Sequence, residues 1–114
     1  MPEVALTKQR IEDGKEDRLR EWVEEIQSRE DEALETLDDE AVYTEAAFIE
    51  HDGDDLYLVY FVEAEDVEAA FEAYEHSDHD IDERNREVMA EVLADADPVS
   101  EFEPLYHFRH PDRP

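Results

Sequence analysis

One stretch of the chain, residues 41–63, constrains the fold more than any other. Its sequence, AVYTEAAFIEHDGDDLYLVYFVE, predicts two strands joined by a turn at Asp52-Gly53, because Asp-Gly is a strong hairpin signal. The second strand, residues 56–62, is apolar or aromatic at every position. A strand with one face in water should instead alternate apolar and polar residues. We therefore expect both faces of this strand to be covered, one by helices of the same chain and the other by a second copy.

Apolar periodicity predicts the remaining helices and strands. They are a strand at 4–11, a helix at 16–39 with a kink or break within 27–32, helices at 66–75 and 82–94, and a last strand within 99–109. Asp82 is the expected N-cap of the third helix. A chain of this length is expected to form one domain, here residues 1–109, followed by a flexible tail at 110–114.

This order of elements places a helical crossover on each side of a hairpin, which is the split βαβ pattern of the ferredoxin-like fold. We expect an α+β protein with the order βαββαβ and a four-stranded antiparallel sheet, whose first and third strands run parallel at its centre. Helices would cover only one face of that sheet. Because a broad apolar face is rarely left in water, we expect a two-fold homodimer, sheet face against sheet face, that forms a dimeric α/β barrel.

Charge is the dominant feature of the composition. The chain has 37 Asp and Glu residues against 10 Lys and Arg, a net charge of −27, and Lys8 and Lys15 are its only lysines. Such a charge opposes the compact state by self-repulsion, but the Debye length falls to about 3 Å in molar salt. The lysine-poor acidic composition resembles that of proteins from halophilic archaea and predicts a folded protein of a salt-rich cytoplasm.

The same composition excludes several classes of partner and chemistry. Binding to nucleic acid or to an anionic membrane requires a basic patch, and the sequence has no cluster of Lys and Arg. No stretch approaches the ~20 apolar residues of a membrane span, and the N-terminus lacks a signal pattern. The absence of cysteine excludes disulfides, thiol nucleophiles and thiolate metal sites. No cofactor is expected, since a nicotinamide site would require a Gly-rich turn and the chain has two glycines.

Nearly the whole chain resembles a known group of small proteins. The matching features are Gly14-Lys15 ahead of Leu19-Arg20-Glu21-Trp22, the acidic stretch 33–37, Tyr57-Leu58-Val59-Tyr60 and His79-Asp80-Ile81-Asp82. They are similar to an uncharacterised family of short prokaryotic proteins within the dimeric α/β-barrel superfamily. That superfamily includes antibiotic-biosynthesis-type and haem-degrading monooxygenases, chlorite-dismutase-like proteins and L-rhamnose mutarotases. The resemblance implies a ferredoxin-like homodimer, and some of these monooxygenases act without a cofactor.

If the protein has a ligand, we expect it between the sheet and the helices, because small-molecule sites are concave and mainly apolar with a few polar groups. His107 is one candidate catalytic residue, since an imidazole exchanges a proton near pH 7, and Glu45 is a possible base. Candidate ligand-binding residues are Trp22, Tyr43 and Tyr60 as apolar walls, Asn85 as a neutral polar group, and Lys8 as a clamp for an anion. Lys8 could also pair with a carboxylate such as Glu45. The alternatives are plain core packing of the aromatic residues, and an ion pair of Lys8 with a neighbouring strand or with the partner subunit.

The segment His76-x-x-His79, with its neighbouring aspartates, has ligand-type residues at close spacing. Imidazole and carboxylate groups together bind divalent metals. In a chain one-third acidic such clusters arise by chance, so we interpret this one as a solvated turn between helices and predict no metal ligand.

Two functions remain open on the sequence alone. The first is a small-molecule enzyme, either a cofactor-independent monooxygenase or a mutarotase, since residues 102–108 loosely resemble the mutarotase C-terminus. Helix 1 has no histidine and the tryptophan pair typical of mutarotases is missing. The second is a non-catalytic ligand-binding or structural dimer. An open polar cavity would favour the enzyme, whereas a solidly packed layer would favour the dimer.

Overall fold

The computed structural model describes residues 2–112. Eight elements follow one another: β1 (Glu3–Arg10), α1 (Glu16–Ser28), α2 (Glu30–Asp39), β2 (Val42–Asp52), β3 (Asp55–Ala64), α3 (Val67–Glu75), α4 (Asp80–Val92) and β4 (Ser100–Glu101). The prediction of an α+β protein is confirmed. None of the helices in the described part of the chain combines the length and the apolar character needed to cross a membrane.

Three full-length strands form an antiparallel sheet in the order β2-β3-β1, and β4 adds only two paired residues at the outer edge of β1. The predicted four-stranded ferredoxin-like sheet, and the dimeric α/β barrel inferred from it, are therefore wrong. The last strand was expected within 99–109, but Pro98 precedes this range and Pro104 lies in the middle of it. Proline lacks the N–H that a ladder requires, and from Phe102 to His110 the chain has no strand.

The expected direction of the central strands is also wrong. β1 and β3 are neighbours, but they run antiparallel, with Glu3 opposite Ala64 and Arg10 opposite Tyr57. The β2–β3 hairpin accounts for this orientation, since it reverses the chain and leaves β2, not β3, parallel to β1. Gly53 occupies the first position of the hairpin turn with φ of +62°, which a glycine adopts without steric cost.

Of two predicted features of the helices, the structure confirms one and contradicts the other. The predicted break in the first helix is confirmed, because α1 ends at Ser28 and α2 begins at Glu30. The predicted N-cap of α4 is wrong. His79 is the N-cap, and Asp82 instead lies buried within the first turn.

The core lies between the helices and one face of the sheet. Alternate residues of β3, among them Leu58 and Val62, pack against the helices, and Trp22 of α1 is 0% exposed. The buried apolar residues are Ile11, Leu19, Trp22, Val42, Val62, Ala64, Ala70, Ile81, Val88 and Val92. The residues between them in β3, such as Val59 and Phe61, point to the opposite side. We call that side the open face.

Candidate functional site

The structure divides the seven candidate residues between two regions. Four of them, Trp22, Glu45, Tyr60 and Asn85, make contacts on the helix side of the sheet. The other three, Lys8, Tyr43 and His107, interact on the open face or at its margin. The two candidate catalytic residues are thus not brought together: Glu45 pairs in register with Val62 on the helix side, whereas His107 contacts Glu63 on the open face.

A chain of side-chain hydrogen bonds joins three helices. The indole Nε1–H of Trp22 donates to Asn85 Oδ1 at 2.7 Å, and Asn85 Nδ2 donates to the hydroxyl oxygen of Tyr74. Burial raises the pKa of the Tyr74 hydroxyl above its ordinary value. Asn85 thereby satisfies the polar atoms of two aromatic side chains, which explains an amide on the apolar face of α4.

A tyrosine and a carboxylate meet on the helix side of the hairpin. The Tyr60 hydroxyl donates to Glu45 Oε2 at 2.7 Å. Burial, followed by the negative charge of Glu45, raises the pKa of Tyr60 above its ordinary value. Glu45 itself is exposed, so this hydrogen bond lies where the helix side of the sheet meets solvent.

Two carboxyl groups meet where the end of α2 approaches the start of α4. The Glu40 side chain lies close to the Asp82 carboxyl, which is 7% exposed, and Glu40 Oε1 and Asp82 Oδ2 are buried atoms with no hydrogen-bond partner among the described residues. Burial first, and the neighbouring Asp82 carboxyl second, raise the pKa of Glu40 to about 8. At neutral pH Glu40 is therefore largely protonated, because its charge would be partly desolvated and next to a second carboxyl group.

We call Glu40, Asp82, Tyr60, Glu45, Tyr74 and Asn85 the polar cluster. Sequence reasoning missed Glu40, Tyr74 and the buried role of Asp82. Glu40 and Asp82 carry no signal in a chain with 37 acidic residues. The helical spacing of Tyr74 with the apolar residues of α3 indicates only core packing at that position.

The predicted turn between α3 and α4 contains one close ion pair. His79 Nε2 donates to Asp39 Oδ2 at 2.7 Å, and this contact raises the pKa of His79. Glu35 lies nearby, with ligand-type atoms of the three residues within 4.8 Å of one another. His76 is exposed and outside this group. The pairing of His79 with Asp39 accounts for the arrangement without a metal.

Two hollows in the described part of the chain are surface grooves. One, of about 410 Å³, is lined mainly by carboxylates of the β1–α1 loop and the first turn of α1, including Glu12, Asp13 and Asp17. The other, of about 370 Å³, lies between the N-terminus and residues 104–107. Neither is lined by Trp22, Tyr60 or Asn85, the residues expected to wall a cavity between sheet and helices.

The open face carries a lysine above an aromatic ring. Lys8 Nζ lies 2.6 Å from Glu50 Oε1 and 4.3 Å from the centre of the Tyr57 ring. The anticipated ion pair of Lys8 therefore forms, with Glu50 in place of Glu45. Beside it on β2, the Phe48 side chain is 57% exposed.

The segment after β4, residues 102–112, crosses the margin of the open face, and we call it the arm. His107 Nε2 lies 3.1 Å and Arg109 Nε 4.0 Å from Oε2 of Glu63, which is 0% exposed. The Arg109 guanidinium also lies 5.5 Å from the centre of the Tyr43 ring. The predicted flexible tail, 110–114, begins within the arm, and its last two residues lie outside the described residues.

Comparison of the chain with curated proteins and with solved structures gives no match. The profile of a family of unknown function, DUF6176, matches residues 2–113. This match covers almost the full length of the chain, which therefore belongs to that family.

Proposed function

We propose that this protein is a non-catalytic module that acts as a homodimer, with the open face as its self-association surface. Two features support this function over catalysis. The polar atoms of Trp22 and Asn85 are engaged with each other in the packed helix layer. The candidate catalytic pair, His107 and Glu45, is separated by the thickness of the sheet.

The apolar character of the open face carries the proposal. Val59 pairs with Phe48 on one neighbouring strand, while Phe61 pairs with Ala46 and with Leu6 on either side. These side chains therefore form one contiguous patch, only partly shielded within a single chain. Contiguous apolar patches of this kind mark interaction surfaces. A second copy would cover the patch without any further gene product, as in an isologous interface.

Sedimentation velocity in about molar KCl tests this proposal. We expect the wild-type chain to sediment as a dimer at micromolar concentration. Phe48→Asp should weaken association about 30-fold or more, because a charge placed in an apolar interface costs on the order of 2 kcal/mol. Leu34→Asp is the matched control, since Leu34 is 53% exposed but lies on α2. A monomeric wild type, or equal effects of the two variants, would contradict the proposal.

The setting that we propose is the salt-rich cytoplasm of a halophile. At a net charge of −27 per chain, two copies repel each other strongly in dilute buffer. Screening over a Debye length of about 3 Å in molar salt leaves the short-range apolar contact to dominate. The dimer should therefore tighten as the salt concentration rises.

A second candidate function, conversion or binding of a small molecule, is favoured by one observation in the polar cluster. The carboxyl of Glu40 has a pKa of about 8, close to the value that suits a general acid or base at neutral pH. This chemistry would fit a cofactor-independent proton transfer of the mutarotase type better than oxygen chemistry.

Ligand-detected NMR with a panel of sugars and small organic acids tests this alternative. We would expect a ligand to bind the wild type and the control Glu24→Gln, which alters an exposed carboxylate of α1, but not Glu40→Gln. Equal binding to all three proteins, or no binding to any, would leave the dimer as the better account.

A further inference from the structure

We propose that the arm of each chain docks on the open face of a second copy, with Tyr106 and Phe108 against the partner's patch around Phe48. This inference rests on the proposed homodimer and adds the segment that holds the two copies together. The partner face, not an unrelated protein, is the occupant to which we commit.

The arm presents two different sides. Arg109 and His107 alternate with Phe108 and Tyr106 along the chain, and the first two contact Glu63. Side chains of an extended chain point alternately to opposite sides. Tyr106 and Phe108 accordingly face away from their own subunit, with ring centres 4.9 Å apart.

The outward side of the arm is apolar. Tyr106 is 75% and Phe108 87% exposed, and their rings lie side by side. Leu105, which by the same alternation lies on the side of His107, is 88% exposed. Single exposed apolar residues are normal in proteins, but three within four positions are not. The arm is also anchored by Glu63, which is buried beneath it and accepts a hydrogen bond from Thr44 at 2.9 Å. The exposed rings are therefore held in place next to the chain's own open face.

The arm is far less acidic than the rest of the chain. Residues 102–112 contain one arginine against one glutamate and one aspartate, a net charge of −1, so the other 103 residues carry −26. A contact made through the arm therefore adds little to the charge repulsion between two copies, whose bodies are both strongly acidic.

The surface that two copies can bury by this contact is large enough for a stable dimer. An aromatic side chain buries about 150–250 Å², so Phe48, Tyr106 and Phe108 from two copies supply on the order of 1,000 Å². Stable interfaces bury roughly 1,600 Å² in total, and Leu105 with the rest of the patch can contribute the remainder. A two-fold axis would cover both arms and both faces at once.

Crosslinking tests the docking directly, because the natural chain has no cysteine. One chain carries Ala46→Cys on the open face and the other His110→Cys on the arm, which leaves the proposed aromatic contacts intact. We expect a short bismaleimide to link the two chains in an equimolar mixture. The pair Leu34→Cys with His110→Cys is the control. A yield no higher than that of the control would overturn the inference.

Removing the aromatic side chains gives a second readout. The double variant Tyr106→Ser/Phe108→Ser should weaken dimerisation about 100-fold or more in Kd, as expected for interface anchors, and His110→Ser should not. Circular dichroism should be unchanged, since both rings lie outside the core. If the wild type is a dimer and the double variant dimerises with the same Kd, the arm contact alone is refuted. A wild-type monomer in molar salt would refute the homodimer as well.

Discussion

At the residue scale, Ala41 has a backbone conformation that its side chain disfavours. Its φ is +55°, in the left-handed region, where it joins the end of α2 to the start of β2. Both of its backbone polar groups are used there, with its N–H donating to Asp38 O and its carbonyl accepting from Glu65 N. These hydrogen bonds hold the strained turn in place and thereby position the neighbouring Glu40.

We expect Ala41→Gly to raise the free energy of unfolding by about 0.5–1 kcal/mol. The left-handed region costs a residue with a Cβ roughly 1–2 kcal/mol, and the added freedom of glycine in the unfolded chain offsets part of the gain. Urea denaturation in about molar salt measures the change. Ala47→Gly, in the exposed interior of β2, is the control and should destabilise instead. A loss of stability in Ala41→Gly would show that the turn is not strained.

At the element scale, α2 docks on α4 through two adjacent residues. Asp39 pairs with His79, and Glu40 lies beside Asp82 in the first turn of α4. The second contact includes two buried oxygens, Glu40 Oε1 and Asp82 Oδ2. An ionised Glu40 would place a negative charge beside another carboxyl group in a partly buried site, so this contact favours the protonated form of Glu40.

The sign of the resulting pH dependence follows from the direction of the pKa shift. The pKa of Glu40 rises from its ordinary 4.5 to about 8 in the folded protein. The folded state therefore binds more protons than the unfolded state between these values. The stabilisation that protonated Glu40 gives the folded state is complete below about pH 4.5 and is lost as the pH rises through 8. The raised pKa of His79 acts in the same direction.

We expect Glu40→Gln to reduce the loss of stability between pH 5 and 8, because glutamine stays neutral beside Asp82 over this whole range. Thermal melts at several pH values in about molar salt measure this, taken as the difference from wild type. Glu24→Gln controls for the removal of one exposed carboxylate. A pH profile of Glu40→Gln parallel to that of the wild type would rule out the raised pKa of Glu40.

At the scale of the whole molecule, charge opposes folding. The chain has few basic side chains to neutralise its carboxylates. Several basic side chains already pair with two or more carboxylates each, as Arg29 does with Glu25, Glu32 and Asp80. The remaining acidic groups repel one another across the surface. Salt is the remaining source of screening.

We expect the far-ultraviolet circular dichroism signal and the melting temperature to fall during dialysis from molar to millimolar KCl. The screening length increases from about 3 Å to roughly 30 Å at 0.01 M, so repulsion then acts across most of the molecule. Osmolality is matched with sucrose as a control for general solute effects. An unchanged melting temperature in dilute buffer would remove the halophilic interpretation.

The sequence by itself determined the local elements. The hairpin and its turn, the helical stripes and the break between α1 and α2 follow from periodicity and turn chemistry, which act over a few residues. The apolar open face was also foreseen, since it follows from the unbroken run in β3. The apolar residues within 99–109 predicted too long a last strand. Most of them lie in the arm and not in the sheet, and β4 is only two residues long.

Only the tertiary structure decided which polar side chains meet. Glu40 and Asp82 come together because α2 ends where α4 begins, and His107 meets Glu63 because the arm returns over the open face. Contacts between residues so far apart in the chain leave no periodic trace, and in so acidic a sequence one carboxylate looks like another. The burial of Glu40, and hence its raised pKa, depends on packing between elements, which no local pattern encodes.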